Sequence, residues 1–240
     1  YIQLKQAIEA AMTERLLTHG SILPSERKMS QTLELSRVTV VKALDALLEA
    51  GLVIKRHGKG TEVNLPVSYN LASGGFSAQL QNSGTVSNRW LVREKLAADD
   101  FLARELEIAV GDRVAKIKRV RLVDALPVSI ETMFIPERFL PRPDLLEGSL
   151  YAHWAENNIF PDLQDYSLTV HIPSGEELNL LDLPQGVPLM KITLKSRNAQ
   201  GEVLEYGTAF CLSNYFNFDF RVKLQSASGG KPGSAHKKDA

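Results

Sequence analysis

Residues 22–63, ILPSERKMSQTLELSRVTVVKALDALLEAGLVIKRHGKGTEV, carry helix starts, a buried stripe, a helix stop and two short strands in that order. Pro24-Ser25 opens a helix, because a serine oxygen can accept from the backbone N–H groups that a first turn leaves unpaired, and Met29 and Leu33 then face inward. After Leu35, Ser36 caps a further helix in which Val40, Ala43, Leu44, Leu47 and Leu48 follow the i, i+3, i+4, i+7, i+8 spacing of one buried stripe. Gly51 stops it one residue past its end. Leu52 to Lys55 and Thr61 to Val63 read as strands, and Arg56-His57-Gly58-Lys59-Gly60 between them forms a basic hairpin tip. Upstream, Leu4, Ile8, Ala11, Met12 and Leu16 predict an amphipathic helix from Ile2 to about Leu17, ending near His19-Gly20.

What the third helix leaves outside decides its meaning. Its first turns expose Arg37, Thr39, Val41 and Lys42, and the amino end of such a helix is where a helix-turn-helix protein meets base edges. An arginine fork can bond guanine O6 and N7 together, and threonine offers a hydroxyl to an edge or a methyl to thymine. An isolated Arg-x-Thr is a solvated helix face; the hairpin behind it reverses that reading, because a glycine-bearing tip can approach a phosphate backbone closely. From Pro24 to Gly60 seven basic residues stand against four acidic ones, while the whole chain has a formal net charge of zero. So weak a patch calls for two copies on a palindromic site.

The run Leu23-Pro24-Ser25-Glu26-Arg27, Leu35-Ser36-Arg37-Val38-Thr39-Val40, Ala43-Leu44, Gly51-Leu52-Val53 and Gly58-Lys59-Gly60-Thr61 resembles the winged helix-turn-helix of GntR-type bacterial transcription regulators. The resemblance implies that Arg27, Arg37, Thr39 and the wing residues His57 and Gly58 touch operator DNA, and Ser36, Val41, Lys42 and Lys59 complete the expected DNA-facing set. The family usually carries a basic residue at the position of Val41; here Lys42 takes over that contact, or Val41 reads a base by apolar contact.

Of 240 residues, the module occupies 1–64, and once a linker and a tail are set aside about 150, residues 76–222, remain for one further core. Residues 65–75, with Pro66 and Ser73-Gly74-Gly75, have the composition of a linker without helix or strand period, and 223–240 read as a disordered tail that is partly foreign to the native protein. The start at Tyr1, almost at the beginning of a helix, points to native residues upstream. No apolar run approaches the roughly 20 residues that span a bilayer, and no signal-peptide pattern opens the chain. With a lone cysteine, Cys211, this leads to the expectation of a cytoplasmic protein without a membrane partner.

Beyond residue 76, Val114 to Leu122, Val128 to Phe134, Asp165 to His171, Leu189 to Ser196 and Val203 to Leu212 have strand-like composition. Ala97 to Glu107, Leu150 to Asn157 and Glu176 to Leu181 have helical spacing, which gives an α+β domain around a mostly antiparallel sheet. Arg119 and Arg121 point to one face of their strand. A three-residue loop after Val123 puts Glu131 opposite Arg119; a four-residue loop puts Ile130 there. The two arginines then either form a salt-bridged surface pair or clamp an anionic ligand, with Glu131 accepting a hydroxyl or amine.

Arg119-Val120-Arg121-Leu122, Pro127-Val128-Ser129-Ile130-Glu131, Gly148-Ser149-Leu150-Tyr151 and Leu204-Glu205-Tyr206 are similar to the UTRA effector domain of the HutC branch of the GntR family. That resemblance implies a chorismate-lyase-like fold over residues 76–222 and an effector pocket built from Phe76, Ser77, Arg119, Arg121, Glu131, Ser149, Tyr151 and Glu205. A tyrosine often stands six residues beyond the last of these in members that bind phosphorylated sugars; here the position is Cys211. The expected protein is a homodimeric, ligand-responsive repressor on a pseudo-palindromic duplex, released by a small anionic effector such as a sugar phosphate or carboxylate. The competing class is a lyase-like enzyme. No nucleophile elbow or metal spacing supports it, so no catalytic residue, metal or cofactor is expected.

Overall fold

The computed structural model describes residues 1–56, 58–65, 67–69, 80, 84–213 and 215–218. Its first unit holds α1 (Ile2–Thr13), α2 (Glu26–Thr32), α3 (Arg37–Glu49) and the hairpin of β1 (Val53–Arg56) with β2 (Gly60–Val63). Ile8, Met12, Leu23, Met29, Val40, Leu44, Leu47, Val53 and Val63 make its core, so three helices and the wing close on one apolar centre. A bridge from Ile22 to Glu62 ties the approach to α2 onto the wing.

Several expected core positions differ. The first helix stops at Thr13 rather than near Leu17, because Arg15 takes a left-handed φ of 59°, and Leu16 is left 74% exposed. Leu33 follows the last turn of α2 and faces solvent; Leu35 packs in its place. Leu48 also lies at the solvent edge of α3, whose stripe is the narrower set Val40, Ala43, Leu44 and Leu47.

The second unit is α+β. Its six-stranded antiparallel sheet runs β4-β5-β6-β9-β8-β7, with β4 (Val86–Ala97), β5 (Arg113–Val123), β6 (Leu126–Pro136), β7 (Leu163–His171), β8 (Leu189–Arg197) and β9 (Val203–Leu212). Short helices among the described residues pack around it: α4 (Asp100–Leu106), α5 (Leu150–Glu156) and α6 (Gly175–Leu180). Ala97 closes β4 instead of opening a helix; Asp99 caps α4 by accepting from the Leu102 amide.

The β5–β6 hairpin sets the register that matters. Asp124 and Ala125 form a two-residue turn, both with positive φ, as the strand twist favours. A bulge then adds Val128 to β6, so the pairing shifts by one between Leu122–Pro127 and Arg121–Ser129. Turn plus bulge give the register of a three-residue loop, and Glu131 stands opposite Arg119.

Gly207 on β9 faces Met133 across the sheet, and a Cβ there would run into the Thr132 carbonyl oxygen and lie 2.9 Å from Met133 Cα. Those are backbone atoms and cannot swing aside. Gly207→Ala therefore costs about 1–3 kcal/mol through overpacking. A thermal scan in which the variant melts with the unsubstituted protein would contradict this strand spacing.

Val67–Tyr69 forms β3 and pairs in parallel with β10 (Phe216–Phe218), which joins the two units through backbone hydrogen bonds. The His19 ring meets Tyr215 edge-on at 4.7 Å, and its Nδ1 accepts from the Leu65 amide at 3.0 Å. Burial, with help from the Arg56 charge, lowers the His19 pKa to about 4, so the ring is neutral at pH 7. Beside this contact a cleft of about 400 Å³ separates Ile22, Arg56 and Lys59 from Leu126, Pro127 and Leu183. Among the described residues, no helix is long and apolar enough to cross a membrane.

Candidate functional site

Two groups of residues can meet a partner, one on each unit. On the first, Ser36 caps α3: its Oγ accepts from the Thr39 amide at 3.1 Å and lies 2.8 Å from the Thr39 hydroxyl. Arg37 opens the helix with its side chain 74% exposed and a Glu26 carboxylate 3.5 Å away. Lys42 and Arg27 are exposed or half-buried, as are Thr39 and Val41. Val38, absent from the expected set, presents its isopropyl group to solvent in the same first turn, because it lies off the buried stripe. At the wing tip Gly58 and Gly60 have φ of 76° and 102°, in the left-handed region open to glycine, and Lys59 is exposed between them. His57 lies outside the described residues.

On the second unit, β5 and β6 bring Arg119, Arg121 and Glu131 together inside the domain, not on its surface. Glu131 accepts from Arg119 Nε at 2.8 Å on one oxygen and from Arg121 Nε at 3.0 Å on the other. Arg121 Nη1 donates to Asn88 Oδ1 at 2.9 Å, and Arg119 Nη1 to the Gly148 carbonyl at 3.1 Å. The Trp90 ring lies under the Arg119 guanidinium at 5.1 Å, within cation–π range. Burial by itself pushes the Glu131 pKa up, but the two guanidinium charges outweigh it and hold the carboxyl below its ordinary range. Two guanidinium groups and the Glu131 carboxylate thus share a buried site, and the buried Glu205 carboxyl feels the charges of Arg119 and Glu131 as well.

A second polar group stands along the same sheet. Tyr151 OH donates to Glu205 at 2.5 Å, Ser196 Oγ donates to the same oxygen at 2.9 Å, and Gln164 Nε2 donates to the Tyr151 oxygen at 2.7 Å. Burial raises the Glu205 pKa, although the Tyr151 and Ser196 hydrogen bonds work the other way. Ser149 acts as the cap of α5, accepting from the Ala152 amide at 3.3 Å. Phe76 and Ser77 lie outside the described residues. Asn88, Trp90, Gln164 and Ser196 escape sequence reasoning; they come from strands far in sequence from the Arg-x-Arg pair, and only a correct register finds them.

Residues 1–63 match the gntR family of bacterial regulatory proteins, and residues 81–217 match the UTRA domain. The HTH-type transcriptional regulator GgaR of Escherichia coli is 30% identical over 220 residues, covering 91% of this chain and 89% of that protein. The mannosyl-D-glycerate transport/metabolism system repressor MngR of Escherichia coli is 29% identical over 226 residues, covering 91% and 92%. The crystal structure of PhnF from Mycobacterium smegmatis shares the fold, with a TM-score of 0.68 at 24% identity over 89% of this chain and 98% of that one. These relatives are transcription regulators, not enzymes.

Proposed function

This chain belongs to the GntR family of bacterial regulators, with a UTRA effector domain behind its winged helix-turn-helix, and from that premise we propose that it is a repressor released from its operator by a small anionic effector. The observation that carries the reading is the buried Arg119–Arg121–Glu131 cluster. Two guanidinium forks are held side by side out of water by one shared carboxylate, a geometry that matches the oxygens of a ligand carboxylate or phosphate. Arg119 and Arg121 hold that group; Tyr151 and Glu205 contact the ligand's hydroxyls, with Ser149 and, outside the described residues, Phe76 and Ser77 completing the pocket. MngR is named for a mannosyl-D-glycerate system, and glycerate carries a carboxylate, which agrees with this chemistry; MngR and PhnF are both named repressors.

The DNA side consists of Arg27, Ser36, Arg37, Thr39, Val41, Lys42, His57, Gly58 and Lys59, to which the exposed Val38 is added. The small basic surplus of one module makes the working unit a homodimer in the cytoplasm, with two modules on a pseudo-palindromic operator. The effector acts by preferring one spacing of those modules, since equal affinity for both would shift nothing. The β3–β10 pairing and the His19–Tyr215 contact are the physical route from pocket to module.

Selection from a random duplex library tests this reading: the full chain recovers an inverted repeat with half-sites about one helical turn apart. Release of that duplex is then screened with phosphorylated and carboxylated sugars. Arg119→Ala keeps operator affinity and loses release by the active compound. Recovery of single half-sites, or normal release from the Arg119 variant, would overturn the homodimer or the clamp respectively.

A further inference from the structure

Ser129 on β6 pairs with Arg121 on β5 and with Cys211 on β9. Side chains alternate along a strand, so Ser129 shares the face of Glu131 two residues on, which is the face carrying both arginines. It is fully buried, and its Oγ has no hydrogen-bond partner among the described residues. That contrasts with its surroundings. Glu131, Asn88, Tyr151, Ser196 and Glu205 are all bonded, and Arg119 and Arg121 are engaged with them or with backbone. A buried hydroxyl without a partner carries a desolvation cost that folding does not return, and native structures hold few of them. Cys211 on the next strand cannot supply the missing bond strongly, because a thiol is a weak donor and acceptor.

We propose that Ser129 is a ligand-contact residue, whose hydroxyl donates to the same oxyanion that Arg119 and Arg121 hold. This rests on the proposed anion clamp and adds a hydroxyl donor to it. The order Asn88, Arg121, Ser129, Cys211 across four strands places that hydroxyl beside one guanidinium, while Glu131 occupies the neighbouring row between both. A carboxylate or phosphate oxygen at this end of the cluster therefore meets a charged donor and a neutral one together. The shared chemistry is an oxyanion; its source is either a phosphate or a carboxylate.

The test uses the full chain with inorganic phosphate in one arm and D-glycerate in the other, followed by calorimetric titration and thermal unfolding. One of the two anions is expected to bind and to raise the transition, and the responding arm identifies the source. Ser129→Ala weakens that binding by about tenfold or more, the scale of one hydrogen bond to a charged group. Ser129→Cys, slightly larger and with a much weaker donor, shows a similar loss. Without anion, the Ser129→Ala protein melts no lower than the unsubstituted one, because the hydroxyl it removes is unpaired. Binding by Ser129→Ala equal to the unsubstituted protein, with Arg119→Ala abolishing it, would overturn the Ser129 assignment and leave the arginine clamp standing. A lower transition for anion-free Ser129→Ala would mark an internal bond and overturn the assignment as well. If neither anion binds, clamp and Ser129 fall together.

Discussion

Replacing Glu131 with alanine lowers the thermal transition of the effector domain by roughly 10 °C, because it strands two buried guanidinium groups. Arg119 and Arg121 are only 4% and 2% exposed, and each gives its Nε to a different oxygen of this one carboxylate. Removing one partner of a buried ionic group costs about 3–5 kcal/mol, far more than the intact cluster contributes, since the cations remain desolvated. For a chain of this size each kcal/mol moves the transition by about 2–4 °C. Glu131→Gln retains one acceptor oxygen and loses less. Acid carries a matching signature. The Glu131 pKa is depressed in the folded protein, so the stabilisation is present above the ordinary carboxylate pKa and is lost as pH falls through the folded value. The alanine variant lacks that component of the acid loss. Calorimetry of both variants from neutral to acidic pH measures all of this, and an alanine variant within about 1 kcal/mol of the unsubstituted protein would mean that the arginines reach water.

The same cluster marks the limits of sequence reading. Arg119, Arg121 and Glu131 are legible because a period of two and a short hairpin place them on one face, although the hairpin reaches that register through a two-residue turn and a bulge at Val128. The strand supplying Asn88 and Trp90 is not. Val86–Ala97 carries Arg89, Arg93, Glu94 and Lys95, residue types that strands disfavour on average, and as an edge strand it buries little on either side. Its alternation shows only once β5 lies beside it. Capping signals at Ser25, Ser36 and Ser149 are readable because each acts within three residues of its own chain. The β3–β10 pair escapes because three-residue strands separated by nearly 150 positions have no local period. Helix stripes read too wide at Leu16, Leu33 and Leu48, where apolar spacing continues after the packing partner has ended.

Arg37→Ala reduces affinity for the operator by about 30-fold to 10⁴-fold while leaving both units folded. Arg37 stands at the first residue of α3, mostly in solvent, and Glu26 approaches it no closer than 3.5 Å. An exposed pair of that kind contributes little to stability, so the fold does not depend on it. Bound in a major groove, however, a bidentate arginine–guanine contact is worth about 1–3 kcal/mol of discrimination. A homodimer presents the residue twice, which doubles the loss to about 2–6 kcal/mol for the complex. Non-specific duplex binding, carried by phosphate contacts from the other cations, falls far less. The informative quantity is therefore the ratio of operator to random-sequence affinity at one fixed salt concentration, measured by fluorescence anisotropy on both duplexes. A ratio that stays constant while both affinities drop would assign Arg37 to the phosphate backbone and move base reading to Val38, Thr39 and Lys42; a ratio that collapses makes the first turn of α3 the reading head.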